Sequence, residues 1–130
     1  KEMKNKYICV DFDGTIVTHD FPQIGKEVPY AIEVLTKLQN EGHKIILFTM
    51  RSEEYLDKAV DYLDKKGIQL FGININPTQT SWTSSPKAYG HIYIDDAALG
   101  CPLIHGVHTR PFVNWEIVKD YLKDLGLLEE

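Results

Sequence analysis

Tyr7-Ile8-Cys9-Val10-Asp11-Phe12-Asp13-Gly14-Thr15 decides the fold of this 130-residue chain. Four apolar residues in a row, with no polar alternation, read as a strand buried on both faces. The acid at its end and the Asp-x-Asp-Gly turn beyond it place polar chemistry at the strand's carboxyl edge. Working outward, residues 29–42 carry Ile32, Leu35 and Leu38 at helical spacing, with Gly42 as a stop. Lys44-Ile45-Ile46-Leu47-Phe48-Thr49 repeats the buried-strand pattern. Ser52 then precedes Glu53 and Glu54, an N-cap and acidic first turn. The helix they start carries Leu56, Ala59, Val60 and Leu63 and ends at Lys65-Lys66-Gly67.

A third apolar run covers 68–75, a fourth is His91-Ile92-Tyr93-Ile94-Asp95, and a last amphipathic helix opens at Trp115. Strands separated by helices need crossover connections. The expectation is therefore one α/β domain over 1–130, three layers deep, with a mostly parallel central sheet and helices on both faces. Residues 1–6 are expected to form a flexible lead-in. The loop over 76–89 is long and rich in Pro, Ser and Thr, and such loops are more often functional than idle.

Composition narrows the partners. Hydrophobic residues make up 43% and charged residues 25%, an ordinary globular balance. Fourteen basic against nineteen acidic side chains leave a net charge of −5, which argues against nucleic acid held on a broad cationic face. No apolar run reaches the length of a membrane span, and no apolar leader core follows the charged start. Two cysteines, Cys9 and Cys101, make no disulfide framework. A cytoplasmic, reducing setting is the expectation.

Open parallel sheets bind ligands beyond the carboxyl ends of their strands. Asp11, Asp13, Thr49, Lys87, Asp95 and Asp96 all fall at such ends or just ahead of a strand. Taken singly, each has an ordinary reading as a cap or turn residue; together and in this order they make a chemical kit. Two unit charges about 4 Å apart repel by roughly 4 kcal/mol at an effective dielectric near 20. Clustered carboxylates therefore call for protons or a cation, and oxygen ligands without nearby His or Cys suit Mg²⁺ better than zinc. His105 and His108 lack a third ligand, so zinc is not expected there. His19, His43 and His91 read as structural or exposed.

The order of these motifs resembles the haloacid dehalogenase superfamily of phosphohydrolases, in its small, capless form. Val10-Asp11-Phe12-Asp13-Gly14-Thr15-Ile16, Leu47-Phe48-Thr49, Lys87 and Ile94-Asp95-Asp96 carry the likeness. The resemblance implies a Mg²⁺-dependent phosphatase acting through an aspartyl-phosphate. In it Asp11 is the nucleophile and Asp13 the general acid and base. Asp11, the Asp13 carbonyl and Asp95 hold the metal. Thr49 and Lys87 bind the phosphoryl group, and Asp96 is an outer partner of metal-bound water or of Lys87. The implied substrate is a phosphorylated small molecule, such as a sugar phosphate or nucleotide. A phosphoaspartate signalling receiver and a non-catalytic phospholigand-binding protein are the alternatives. A receiver, however, carries its motifs in a different order.

Residues 15–28 are too few for a helical cap, and the span from Thr49 to Lys87 is already filled, so the site should be open unless its loops or a homo-oligomer partner cover it. Arg51 has two readings, a contact to substrate phosphate or a salt-bridged structural arginine. Trp82 either stacks on a base or sugar or simply packs. Residues 97–113 are irregular and positioned to wall the pocket.

Overall fold

The computed structural model describes residues 4–129. Of the lead-in expected over 1–6, residues 1–3 lie outside the described residues; the Lys6 amide donates to His43 Nδ1 at 3.1 Å. The four apolar runs form strands β1 (Tyr7–Val10), β2 (Lys44–Leu47), β3 (Leu70–Ile73) and β4 (Ile92–Ile94). They join in the order β3-β2-β1-β4, every pair parallel. Helices α1 (Ala31–Asn40), α2 (Glu53–Lys65) and α3 (Trp115–Asp124) complete the α/β domain.

The strands sort their side chains by alternation. Ile8, Val10, Ile45 and Leu47 point into one core, and that core also takes Val34, Leu35 and Leu38 of α1, Ala59 and Leu63 of α2, and Val118 and Leu122 of α3. Cys9 and Ile46 point the other way, into a smaller cluster with Ala88, Tyr7, Phe48 and Phe71. All three helices thus share one face. Helices on both faces were expected, and chain direction explains the difference. Right-handed crossovers that step β1 to β2 to β3 place α1 and α2 on the same side, whereas the return from β3 to β4 must cross the opposite side. That return carries no α-helix. It is the loop after β3, with a single 3₁₀ turn at Pro77–Ser81, and it forms the third layer.

Two buried amides hold this loop in shape. Asn76 Oδ1 accepts from the Thr78 amide at 2.9 Å, and Asn76 Nδ2 donates to the Tyr89 carbonyl at 3.0 Å. Gln79 Nε2 donates to the Ser85 and Lys87 carbonyls at 3.2 and 2.9 Å, while its Oε1 accepts from Tyr89 N at 2.8 Å. A buried loop must satisfy its backbone somewhere, and here side-chain amides replace the missing helix.

Helix termini follow the sequence closely, with one exception. Gly42 ends α1 at φ 92°, a conformation that disfavours side chains. Ser52 precedes α2 as expected, but its hydroxyl makes no cap; its carbonyl accepts from Tyr55 and Leu56 instead. Asn114 caps α3 by accepting from Ile117 N.

The segment after β4 is more ordered than its composition suggests. Strands β5 (Leu103–Ile104) and β6 (Phe112–Val113) pair antiparallel outside the main sheet. From there Val113 N donates to the Gly14 carbonyl at 3.0 Å and Trp115 Nε1 to the Thr15 carbonyl at 2.7 Å. The carboxyl-terminal third therefore buttresses the turn that follows β1.

Candidate active site

Asp11 sits one residue beyond β1, its amide still donating to the Ile94 carbonyl of β4 at 3.0 Å. This bond brings the ends of β1 and β4 together, and with them Asp11, Asp95 and Asp96. Oxygen atoms of the three carboxyl groups lie within 4.8 Å of one another. Thr15, fully buried, links two of them: its Oγ1 donates to Asp11 Oδ2 at 3.0 Å and accepts from Asp96 N at 3.2 Å.

The electrostatic consequence is large. Burial, then the Asp95 charge and a hydrogen bond shared with Asp96, push the Asp11 carboxyl up to about 8, with the Thr15 donor pulling the other way. Burial is also the main cause of a raised Asp95, relieved in part by the Ala97 amide that donates to its Oδ1 at 2.8 Å. Three acids this close share protons unless a cation replaces them. The donor set is all oxygen and partly buried, which fits a hard divalent cation such as Mg²⁺.

Thr49 lies across a cavity of about 120 Å³ that Asp11, Phe48, Met50 and Asp95 also line. Asn74 Oδ1 accepts from the Thr49 amide at 2.7 Å, and Thr49 Oγ1 accepts from Arg51 N at 3.1 Å. Lys87 is on the exposed rim, its Nζ 5.6 Å above the Tyr93 ring. It borders a second cavity, of about 320 Å³, lined also by Cys9, Phe48, Tyr93 and Asp95. The two spaces share Phe48 and Asp95 as a common wall.

Asp13 stands apart from the acidic group. Arg51 Nε and one Nη each donate to its carboxylate at 2.8 Å. The other donors go to the carbonyls of Gln23 at 2.8 Å, Tyr55 at 3.2 Å and Pro22 at 3.4 Å. The guanidinium lies between the Phe12 and Phe21 rings, 5.2 and 5.0 Å from their centres. Its side chain is 1% exposed, and all five N–H donors are used within the chain. Of the two readings of Arg51, the salt-bridged one matches this geometry.

The Asp96 carboxylate, expected as an outer partner of metal-bound water or of Lys87, belongs to the acidic group, and besides its bond with Asp11 it meets His19 at 2.7 Å. His19 is the neighbour of the acidic group that sequence reasoning missed; no periodicity links positions 77 residues apart. Trp82 packs edge-on against Tyr89 with centroids 5.5 Å apart and stays 61% exposed. Of the 97–113 segment, Ala97 and Ala98 line the cavity of about 320 Å³ beside Asp95, whereas Cys101 and Pro102 line a groove along β4 and α3.

Residues 15–28 form a short flap. Bridges from Asp13 to Val17 and from Val17 to Glu27 fold it back on itself, and among the described residues no separate cap is present. No helix among the described residues is long and apolar enough to cross a membrane.

Residues 8–89 match the family model of haloacid dehalogenase-like hydrolases. A solved structure described as the conserved protein coded by a locus from Bacteroides thetaiotaomicron is 34% identical, with 94% of this chain and 93% of that one covered and a TM-score of 0.75. Among curated proteins no sequence matches. The matching model is one of hydrolases, which leaves the signalling-receiver alternative without support. With the family's acids at the tips of β1 and β4 and more than half of the chain matched, this protein belongs to the haloacid dehalogenase-like hydrolases.

Proposed function

We propose that the protein is a Mg²⁺-dependent phosphohydrolase that cleaves a phosphate monoester through an aspartyl-phosphate on Asp11. The observation that carries this reading is the position of Asp11, which belongs to the three-carboxylate group and also lines the small cavity opposite Thr49. Asp11, Asp95 and Asp96, joined by the Asp13 backbone carbonyl, would hold the ion. An ion held there would offset the carboxylate charge, so that a phosphate dianion could approach Asp11.

Asp11 then attacks phosphorus with one carboxylate oxygen; a P–O bond forms to it as the bond to the leaving oxygen breaks. Thr15 holds Oδ2 and so limits rotation of the nucleophile. Thr49 accepts from Arg51 through its hydroxyl oxygen, which leaves the hydroxyl hydrogen to donate to a phosphoryl oxygen. Lys87 reaches over the rim to balance the remaining phosphoryl charge. Asp13, on exchanging one of its two Arg51 bonds for the leaving oxygen, takes up a proton from solvent and passes it to that oxygen, and afterwards accepts a proton from the water that hydrolyses the Asp11 phosphate.

A space of about 120 Å³ suits a phosphoryl group, and the adjoining 320 Å³ suits a small organic moiety. A sugar phosphate or nucleotide is of a size to fill them, and the net charge of −5 weighs against a polynucleotide. The test is phosphate release from a panel of phosphorylated metabolites with Mg²⁺. Turnover that disappears with chelator and with Asp11→Asn supports the assignment; near-normal turnover in Asp11→Asn overturns it.

A further inference from the structure

We infer that His19 is a positioning residue of the cation site, acting through Asp96 and not through the substrate; the inference rests on the metal reading above. His19 Nε2 lies 2.7 Å from Asp96 Oδ2, and both side chains are only 15% exposed. With a cation bound, the Asp96 carboxylate can only accept, so in that state Nε2 carries the hydrogen. With Oδ2 held by His19 and its backbone amide held by Thr15, Asp96 is fixed from two sides. Its rotation is restricted before any cation arrives.

The place for this contact is created by Gly14. Its φ is 82°, and a Cβ built there would overlap both His19 Nε2 and Asp96 Oδ2. The glycine thus serves the turn after β1 and also the meeting of two side chains across it. His19 is itself delivered by a braced loop. Thr18 N donates to the Lys26 carbonyl at 2.8 Å, Lys26 N donates to Thr18 Oγ1 at 3.0 Å, and Val28 N donates to the Ile16 carbonyl at 2.9 Å. Arg51 holds the far side of the flap through Pro22 and Gln23. A donor on a braced loop aimed at an outer carboxylate oxygen is the arrangement that orients metal ligands elsewhere, and its loss there typically costs 10–100-fold in affinity.

The experiment is calorimetric titration of the metal-free full chain with MgCl₂ and with MnCl₂, in the absence of substrate. Wild type is compared with His19→Ala, His19→Asn and His19→Gln, and thermal midpoints are measured on the metal-free proteins. The expected result is about 10–100-fold weaker binding in His19→Ala. His19→Gln, which can still present a donor to Asp96, should recover most of the affinity, while metal-free midpoints stay close to wild type. His19→Asn, too short to reach, should behave like the alanine variant. Equal affinity in wild type and His19→Ala overturns the inference and leaves the hydrolase reading standing. A wild-type protein that binds neither ion removes the metal reading and this inference with it. Binding that weakens in His19→Ala and recovers in His19→Gln, with no phosphatase turnover in the wild type, supports the role of His19 while removing the proposed reaction.

Discussion

Arg51 and Asp13 meet through two parallel 2.8 Å hydrogen bonds, with the guanidinium nearly sealed from solvent and the carboxylate 19% exposed. Asp13 is the charged partner of Arg51 in this pair. Removing one member of such a pair strands the other in a poorly solvated place and typically costs about 3–5 kcal/mol. Arg51→Ala is expected to lose stability in that range by urea denaturation. Phe21→Ala should cost far less, because Phe21 is mostly exposed and only covers one side of the guanidinium. Equal destabilisation by the two variants would show that the pair contributes little.

Asp11 makes the metal-free protein sensitive to pH in a stated direction. Its carboxyl is raised to about 8 in the fold against 3.8 in an ordinary chain. Between these values the folded state holds a proton that the unfolded state has released. The stability this group contributes is therefore full below pH 3.8 and is lost as pH rises through 8. Asp11→Asn has no such proton, so its stability advantage over wild type should grow from pH 5 to pH 8 in the presence of chelator. Thermal midpoints across that range check it; an unchanging difference would show that Asp11 titrates normally.

Gln79 links loop structure to the lysine at the rim. It is 1% exposed and donates to the carbonyls of Ser85 and Lys87. Gln79→Ala leaves buried backbone groups unpaired, at about 1–3 kcal/mol for each group that water cannot reach. On the proposed reaction, catalytic efficiency should fall about tenfold, roughly 1.4 kcal/mol of lost transition-state stabilisation, as Lys87 loses its support. Steady-state kinetics beside denaturation curves separate the two effects. A destabilised Gln79→Ala with unchanged kinetics would show that Lys87 is placed by something else.

The two thiols should react in order. Cys9 is 1% exposed and burial pushes its thiol up to about 11, while burial also raises the half-buried Cys101. At pH 8 roughly one Cys9 in a thousand would be thiolate even if reagent reached it. A disulfide-exchange reagent should label one equivalent in the native protein, at Cys101, and the second only in denaturant. Early labelling of Cys9, located by peptide mass, would contradict the packing of β1 against the crossover loop.

Much of this was legible because parallel strands bury both faces. Ile8 to Val10 and Ile45 to Leu47 stand out as unbroken apolar runs, and each run ends where its polar residue is needed. Asp11, Thr49, Asp95 and Asp96 followed from strand ends alone. The partners of Asp13 and Asp96 were not legible, because Arg51 and His19 reach them from 38 and 77 positions away, and loop geometry sets those distances. Asn76 and Gln79 were hidden for another reason. In a loop rich in polar residues nothing marks the two that turn inward. The pairing of β5 with β6 escaped because two-residue strands carry no measurable alternation.

One crossover loop both covers the second face of the sheet and carries Lys87. Residues 84–87 of that loop are exposed, whereas Ala88 is sealed against Cys9 and Ile46. A protease that nicks the chain between Ser84 and Pro86 would cut the rim cation loose and unroof the small aromatic core in the same event. Catalytic power and resistance to further digestion should vanish on one time course. Trimming the exposed tip at 105–110, which belongs to neither assembly, should spare both.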